Sequence, residues 1–316
     1  MKRTLIHIVT FLLIVFIAYQ PQSNYFSMNN LSNYMQLSQQ VTSNQDQLMA
    51  DIKKKSQEYE EPPQNARVDE VWKKLPGRNG IRVNIEESYK QMKENGKFDE
   101  SLLVYEQVRP EVSIEDLPPS PIYRGHPDKQ MVALLINVAW GEENIPSMLN
   151  TLKKNSVKAT FFIEGKWASN NADLVKMIKE EGHLIGNHAF NHPDMKHLTK
   201  EQNLEQIKKT NDIIKAIIGE APKWFAPPSG SFNDEVVKIA SELKMETILW
   251  SVDTVDWKKP STSVMLNRVI SNIHPGAMIL MHPTDVIEQG IEQLILNLKE
   301  KGYKIGTVDR LLSENR

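Results

Sequence analysis

From Lys129 onward, short apolar runs alternate with amphipathic helical windows. That alternation restricts the fold more than any other feature of the chain. The runs are Met131–Ile136, Ala159–Ile163, Leu184–Gly186, Trp224–Ala226, Thr247–Trp250, Ala277–Met281 and Tyr303–Ile305. In the window holding Leu204, Ile207, Ile214, Ile217 and Ile218, the spacing puts the apolar residues on one helical face. Alternation of strand and helix predicts parallel strands covered by helices, an α/β architecture. Seven runs predict a complete or slightly incomplete (β/α) barrel, with an open doubly wound sheet as the alternative.

The ends and the composition set outer limits. A chain of 316 residues has material for one large domain or two small ones. A formal net charge of −2 gives no global electrostatic case for binding nucleic acid. There is no cysteine, so disulfides and thiolate metal sites are excluded. At the N-terminus, Lys2 and Arg3 precede an apolar run from Thr4 to Tyr19, interrupted only by His7 and Thr10. A basic segment followed by an apolar one predicts a secretory signal or, since no small-x-small site follows Ala18, an uncleaved membrane anchor over 1–19. Either places the remainder outside the cytoplasmic membrane or secreted from the cell. Residues 20–65 read as a spacer: first rich in Asn, Gln and Ser, then charged and helical from Leu48 to Glu61, ending before Pro62-Pro63.

Residues 66–120 predict a small α+β extension. Val68, Val71 and Trp72 can share a helix face, Ile81–Val83 and Leu102–Tyr105 read as strands, and Ile85–Met92 as a helix. Pro118, Pro119 and Pro121 mark its end, and the main domain covers 129–312.

In parallel barrels, chemistry sits on the loops that follow the strand C-termini. Here those loops carry Asn137-Val138-Ala139-Trp140-Gly141, then Gly186-Asn187-His188-Ala189-Phe190-Asn191-His192-Pro193-Asp194. The next ones carry Ala226-Pro227-Pro228-Ser229-Gly230, then Asp253, Asp256 and Trp257, and last His282. Two histidines four residues apart suit two nitrogens converging on one metal, and equally suit two polar loop residues. Asp256 and His282 suit an acid–base pair, in which a carboxylate fixes the imidazole tautomer and the other nitrogen protonates a leaving group. They also suit a structural polar pair. Trp257 and Leu280 can form an apolar wall beside them.

These motifs, in this order, resemble the polysaccharide deacetylases, the NodB-homology domain of carbohydrate esterase family 4. His188-Ala189-Phe190-Asn191-His192 resembles the family's His-x-x-x-His metal motif. Trp224 to Asn233 resembles the region of its Arg-x-Pro-Tyr motif. Asp253-Thr254-Val255-Asp256-Trp257 resembles Asp-x-x-Asp-Trp, Leu280-Met281-His282 resembles Leu-x-His, and Ala159 to Gly165 resembles the strand after the first helix. The resemblance implies a deformed (β/α) barrel, a divalent metal such as zinc, and hydrolysis of N-acetyl groups on amino-sugar polymers such as peptidoglycan or chitin. It implies metal ligation by His188 and His192, and a general acid at His282 oriented by Asp256. It also implies an acetyl pocket at Trp257 and Leu280, and an oxyanion donor in the backbone N–H of Ser229.

Several positions depart from the pattern: Ser229 stands for the tyrosine of the third motif, Ala189 for the Ser/Thr after the first metal histidine, and three more bear directly on the chemistry. The family's first motif is Thr-Phe-Asp-Asp-Gly. Ala139 stands where its catalytic base belongs, and Trp140 where its carboxylate metal ligand belongs. Ala226 replaces the arginine that holds the base. An arginine without its carboxylate would be an unpaired charge in a pocket, so the two alanines read together as one lost ion pair. Removing a general base is typically worth ~10²–10⁴ in rate. Two neutral imidazoles also bind a cation less well than a set that includes a carboxylate. The expectation is an exported or membrane-anchored envelope protein that binds N-acetylated cell-wall glycan, with weak or absent zinc and impaired or absent deacetylase activity. The alternative is an active, divergent, metal-dependent N-deacetylase.

Overall fold

The computed structural model describes residues 9–11, 13, 15, 35 and 47–316. Most of the expected signal or anchor over 1–19 and of the following spacer lies outside the described residues. Among the described residues, no helix is long and apolar enough to cross a membrane.

The chain forms two compact units. One comprises the described residues up to Glu60 with Arg82–Glu106, and the other comprises Glu61–Ile81 with Gln107–Arg316. Among the described residues, four short strands precede the main sheet: β1 (Arg67–Asp69), β2 (Lys73–Leu75), β3 (Gly80–Val83) and β4 (Tyr105–Val108). β1 and β2 form an antiparallel hairpin, so the helix expected through Val68, Val71 and Trp72 does not form. The reason is local: Asp69 Oδ1 accepts from Val71 N and Trp72 N at 2.9 and 2.8 Å, and Lys73 turns the chain at φ 57°. The expected helix α1 (Ile85–Met92) is present, capped by Asn84, whose side chain accepts from Glu87 N at 3.0 Å. It packs in a small core of Leu48, Ile52, Val83, Met92 and Leu103. The strand expected at Leu102–Tyr105 is instead a 3-10 turn, Glu100–Leu102, followed by β4.

The large unit is built on an eight-stranded sheet. Its strands are β5 (Met131–Val138), β6 (Thr160–Ile163), β7 (Leu184–Asn187), β8 (Trp224–Phe225), β9 (Glu246–Thr247), β10 (Val252–Asp253), β11 (Met278–Met281) and β12 (Lys304–Gly306). The order is β10-β11-β5-β6-β7-β8-β9, with β12 also paired to β5. Every one of these pairs is parallel. β12 lies along the first half of β5 and β6 along its second half. The two end strands, β9 and β10, follow one another in the chain. The segment around Ile122 stands at this seam: its N–H donates to Thr247 O at 2.9 Å and its carbonyl accepts from Leu249 N at 2.8 Å, while Arg124 bridges to Ala277. The sheet is thus a deformed, incomplete (β/α) barrel, one of the forms the alternation predicts.

The helices are α2 (Ile145–Lys154), α3 (Gly165–Asn170), α4 (Ala172–Glu180), α5 (Lys200–Ile218), α6 (Asp234–Glu242), α7 (Thr262–Asn272), α8 (Asp285–Glu300) and α9 (Val308–Leu312). All eight residues of β5 are buried, as expected for a parallel strand covered on both faces. Val132, Leu134, Ile136 and Val138 pack in the helix-side core, while Ala133 and Leu135 pack in the barrel interior with Phe162, Ile248 and Met278. On α5 the buried stripe is Asn203, Ile207, Thr210 and Ile214, and Leu204 stands 38% exposed. Asn203 takes the inner position because its Nδ2 donates to Met195 O at 3.1 Å, holding the loop before the helix.

Candidate active site

The strands β5, β6, β7, β8, β10 and β11 deliver their C-terminal ends to one rim. A cavity of about 450 Å³ opens there, lined by Asn137, Trp140, His188, His192, Ser229, Trp250, Asp253, Trp257, Leu280 and His282. Nine of these come from the motif segments read in the sequence, which the fold brings together from distant positions. Trp250 completes the lining.

The His188–His192 loop is fixed from beneath. Gly186 lies flat against the sheet, where an added Cβ would stand 2.4 Å from the Phe162 ring and 3.1 Å from Trp224 O. Asn187 is buried and holds both sides of the loop: its Nδ2 donates to Ile207 O and Asn211 Oδ1 at 2.8 Å each, and its Oδ1 accepts from Ala189 N at 2.8 Å. The backbone is left-handed at Ala189 and His192, with φ 60° and 55°. His188 is buried, and its Nδ1–H donates to Ala226 O at 2.7 Å, which leaves Nε2 with its lone pair. Burial, reinforced by repulsion from His192, pushes the His188 pKa down to about 3. Burial lowers His192 as well. The two rings meet edge to face at 5.2 Å.

On the other side of the cavity, Asp256 is fully buried beneath His282. Its Oδ1 accepts from His282 Nδ1 at 3.1 Å and from Thr254 Oγ1 at 2.6 Å, and its Oδ2 accepts from Thr284 Oγ1 at 2.9 Å. Burial alone would raise this carboxyl, but the hydrogen bonds and the charge of His282 outweigh it and leave the pKa lowered. Asp256 is a carboxylate, so the His282 proton sits on Nδ1. The turn leading into it is strained: β-branched Val255 adopts φ 55°, a conformation costing about 1–3 kcal/mol. Asp253 Oδ1 accepts from Val255 N at 2.8 Å and holds this turn. Ser229, after Pro227-Pro228, is also left-handed at φ 53°.

The three departing positions that bear on the chemistry give this cavity its character. Trp140 is 43% exposed and stacks on the His282 ring, with centroids 5.2 Å apart and planes 16° apart. Ala226 is buried in the barrel-interior core. Ala139 is half-buried and brings no polar group. Glu142 and Glu143, the nearest acidic residues in sequence, are exposed outside the cavity lining, and Glu142 Oε2 accepts from Trp167 Nε1 at 3.3 Å. Among the described residues, no three His, Cys, Asp or Glu side chains converge as a metal-binding group. Two neutral imidazoles fall short of the three protein ligands of a catalytic zinc site. The donor set therefore does not fit such a centre.

Three lining residues, Asp253, Trp250 and Asn137, carry no role from the motifs. Asp253 was legible as the first carboxylate of Asp-x-x-Asp-Trp, but Trp250 reads in sequence as the last residue of an apolar strand. Asn137 stood inside the first motif, and no spacing pointed to it.

The comparisons agree with this fold. A family model for polysaccharide deacetylase matches residues 124–248. YlxY of Bacillus subtilis, described as an uncharacterized protein, is 51% identical over 316 residues, covering 100% of this chain and 99% of that one. A peptidoglycan-N-acetylglucosamine deacetylase of Bacillus cereus is 35% identical over 199 residues, covering 61% of this chain and 72% of its own. Among solved structures, wild-type BA3943 of Bacillus anthracis, described as a CE4 family pseudoenzyme, is 50% identical with a TM-score of 0.79. It covers 85% of this chain and 96% of its own. A mutant of BA3943 described as having restored enzymatic activity matches with the same TM-score of 0.79. Fold, motif order and relatives converge: the chain belongs to the polysaccharide deacetylase family, carbohydrate esterase family 4.

Proposed function

We propose that this protein is a cell-envelope member of the family that binds N-acetylated glycan, of the peptidoglycan type, and hydrolyses it poorly or not at all. The observation that carries this reading is the Trp140–His282 stack. An indole lies flat on the imidazole where the family pattern has a carboxylate ligand, and no carboxylate stands at Ala139 to take a proton from water. The acid side is built: Asp256 fixes the His282 tautomer and stabilises the imidazolium, so His282 can hold a proton for a leaving amine. Without a base and a well-held metal, that proton has no hydrolytic step to complete. Trp257 and Leu280 form an apolar wall for an acetyl methyl, and the backbone N–H of Ser229 is the donor for its oxygen. His188 and His192 remain as a weak metal-binding pair, with zinc the ion to test.

The relatives' deacetylase names and the pseudoenzyme description support this reading. The basic, apolar N-terminus supports export, with 1–19 as signal or anchor, 20–65 as spacer, 66–120 as an extension and 129–312 as the deacetylase-fold domain. Calorimetric titration with an N-acetylglucosamine oligomer tests the binding. Saturable binding weakened by Trp257→Ala is expected, and heat indistinguishable from dilution overturns the reading. Protease treatment of intact protoplasts tests export: digestion of the C-terminal domain is expected, and full protection contradicts it.

The divergent-enzyme alternative has one specific support, the intact Asp256–His282 pair. It requires acetate release that His282→Ala abolishes.

A further inference from the structure

We infer that Asn137 is the residue with which this cavity reads the amide of an N-acetyl group. The inference rests on the glycan-binding reading above and names the atoms that give it selectivity.

The argument starts from strand alternation. Successive residues of β5 point alternately to the helix-side core and to the barrel interior. Ala133 and Leu135 occupy the interior column, among Phe162, Ile248 and Met278. Asn137 is the next residue of that column and the first polar one. It is 4% exposed, it lines the cavity, and its side-chain oxygen has no hydrogen-bond partner. A buried amide oxygen without a partner is destabilising, whereas an apolar residue of the same size would satisfy this position at no such cost. Asn187 of β7, two strands away, shows the contrast: buried as well, it is held by Ile207, Asn211 and Ala189 and serves the fold. The side-chain oxygen of Asn137 has no such partner.

The lining fixes the chemistry of the missing partner. A primary amide presents one acceptor and two donors. It pairs with a group that has both an N–H and a C=O, and a rotation about its terminal bond presents either end. Trp140, Trp250 and Trp257 supply aromatic surface for a sugar ring. Asp253, with Oδ1 committed to Val255 N, keeps its other oxygen for a hydroxyl donor. A hydroxylated ring bearing a secondary amide satisfies all of these, and an N-acetylated amino sugar is that class. A volume of about 450 Å³ lies in the range of small-molecule sites, about 300–1,000 Å³.

The test compares tri-N-acetylchitotriose with its fully de-N-acetylated counterpart, by calorimetry on the wild type and on Asn137→Leu. The wild type is expected to prefer the acetylated sugar. Asn137→Leu should lose about tenfold in affinity for it, little for the amine form, and melt no lower than wild type because an unpaired polar group is gone. That combination, tighter fold and lost selectivity, is not what a structural role gives. A preference retained within twofold by Asn137→Leu overturns the inference and leaves the glycan reading standing. A wild type that binds neither sugar overturns both. Should Asn137→Leu fail to fold, Asn137→Ser carries the same comparison of the two sugars and is judged by the same selectivity criterion.

Discussion

Gly141 is the one residue of the altered first motif whose backbone demands it. Its φ is +78°, and an added Cβ would stand 2.0 Å from Pro283 O, a backbone atom in the loop that carries His282. Gly182 has the same φ of +78°, but its added Cβ would meet only the flexible end of Lys158, at 3.5 Å. The two alanine variants therefore share a conformational cost and differ in the close approach. The left-handed backbone costs about 1–2 kcal/mol for an alanine. Pushing apart two packed backbone segments adds about 1–3 kcal/mol. In a domain of this size each kcal/mol lowers the melting temperature by about 2–4 °C, so Gly182→Ala should lose roughly 2–8 °C and Gly141→Ala, at about 2–5 kcal/mol in all, roughly 4–20 °C. Thermal unfolding followed by circular dichroism reads both. Because Asn144 Nδ2 also donates to Pro283 O at 3.1 Å, the displaced loop should disturb the Trp140–His282 stack and change the tryptophan emission in Gly141→Ala alone. Equal losses in the two variants, with emission unchanged, would refute the claim that this glycine locks the rim.

Asp256→Ala should destabilise by about 2–4 kcal/mol in urea unfolding, because His282, Thr254 and Thr284 lose one shared acceptor inside the protein; a loss below about 0.5 kcal/mol would show the pair to be exposed in solution. Stability should fall on acidification. His126 and His183 each accept a backbone N–H at Nδ1, from Asp128 and Ala159, and burial holds both near pKa 4 against an ordinary 6.5. The folded values lie below the unfolded ones, so the unfolded chain takes protons first, and stability fully present above about pH 6.5 is lost between there and pH 4. A melting temperature that rises from pH 7 to pH 5 contradicts this sign. Zinc titration of the wild type should show weak binding that His188→Ala with His192→Ala removes, and unchanged affinity would place the ion elsewhere.

Much of the barrel was legible because its strands are apolar on both faces and so stand out as continuous runs. β5 to β8, β11 and β12 fall on runs read from sequence. β10 did not, because Val252-Asp253 is two residues long and offers no period. β9 was placed late because Ile248–Trp250 continue the run as apolar residues, yet only Thr247 of that run is in the strand and Trp250 turns to the cavity. Leu204 and Asn203 exchanged places for a tertiary reason, a side-chain hydrogen bond to a loop that helical periodicity does not register. At the rim, the motif spacing marked the histidines and Asp256 before any coordinates. What spacing does not convey is the face each substituted side chain presents. That Trp140 would lie on His282 depends on the closeness of two loops 142 residues apart, and that closeness is set by Gly141 against Pro283.

The account's central claim is that the rim geometry survives while the hydrolytic chemistry is missing. Acetate release from an N-acetylglucosamine oligomer with zinc supplied tests it most directly, on the wild type and on the variant combining Ala139→Asp, Trp140→Asp and Ala226→Arg. The account predicts little or no acetate from the wild type and clear turnover from the triple variant. The single substitutions should contribute far less than their combination, since groups that act as a unit are not additive. A wild type that releases acetate as fast as the triple variant contradicts the claim of lost chemistry. A folded, zinc-binding triple variant that releases no more than the wild type contradicts the claim of preserved geometry.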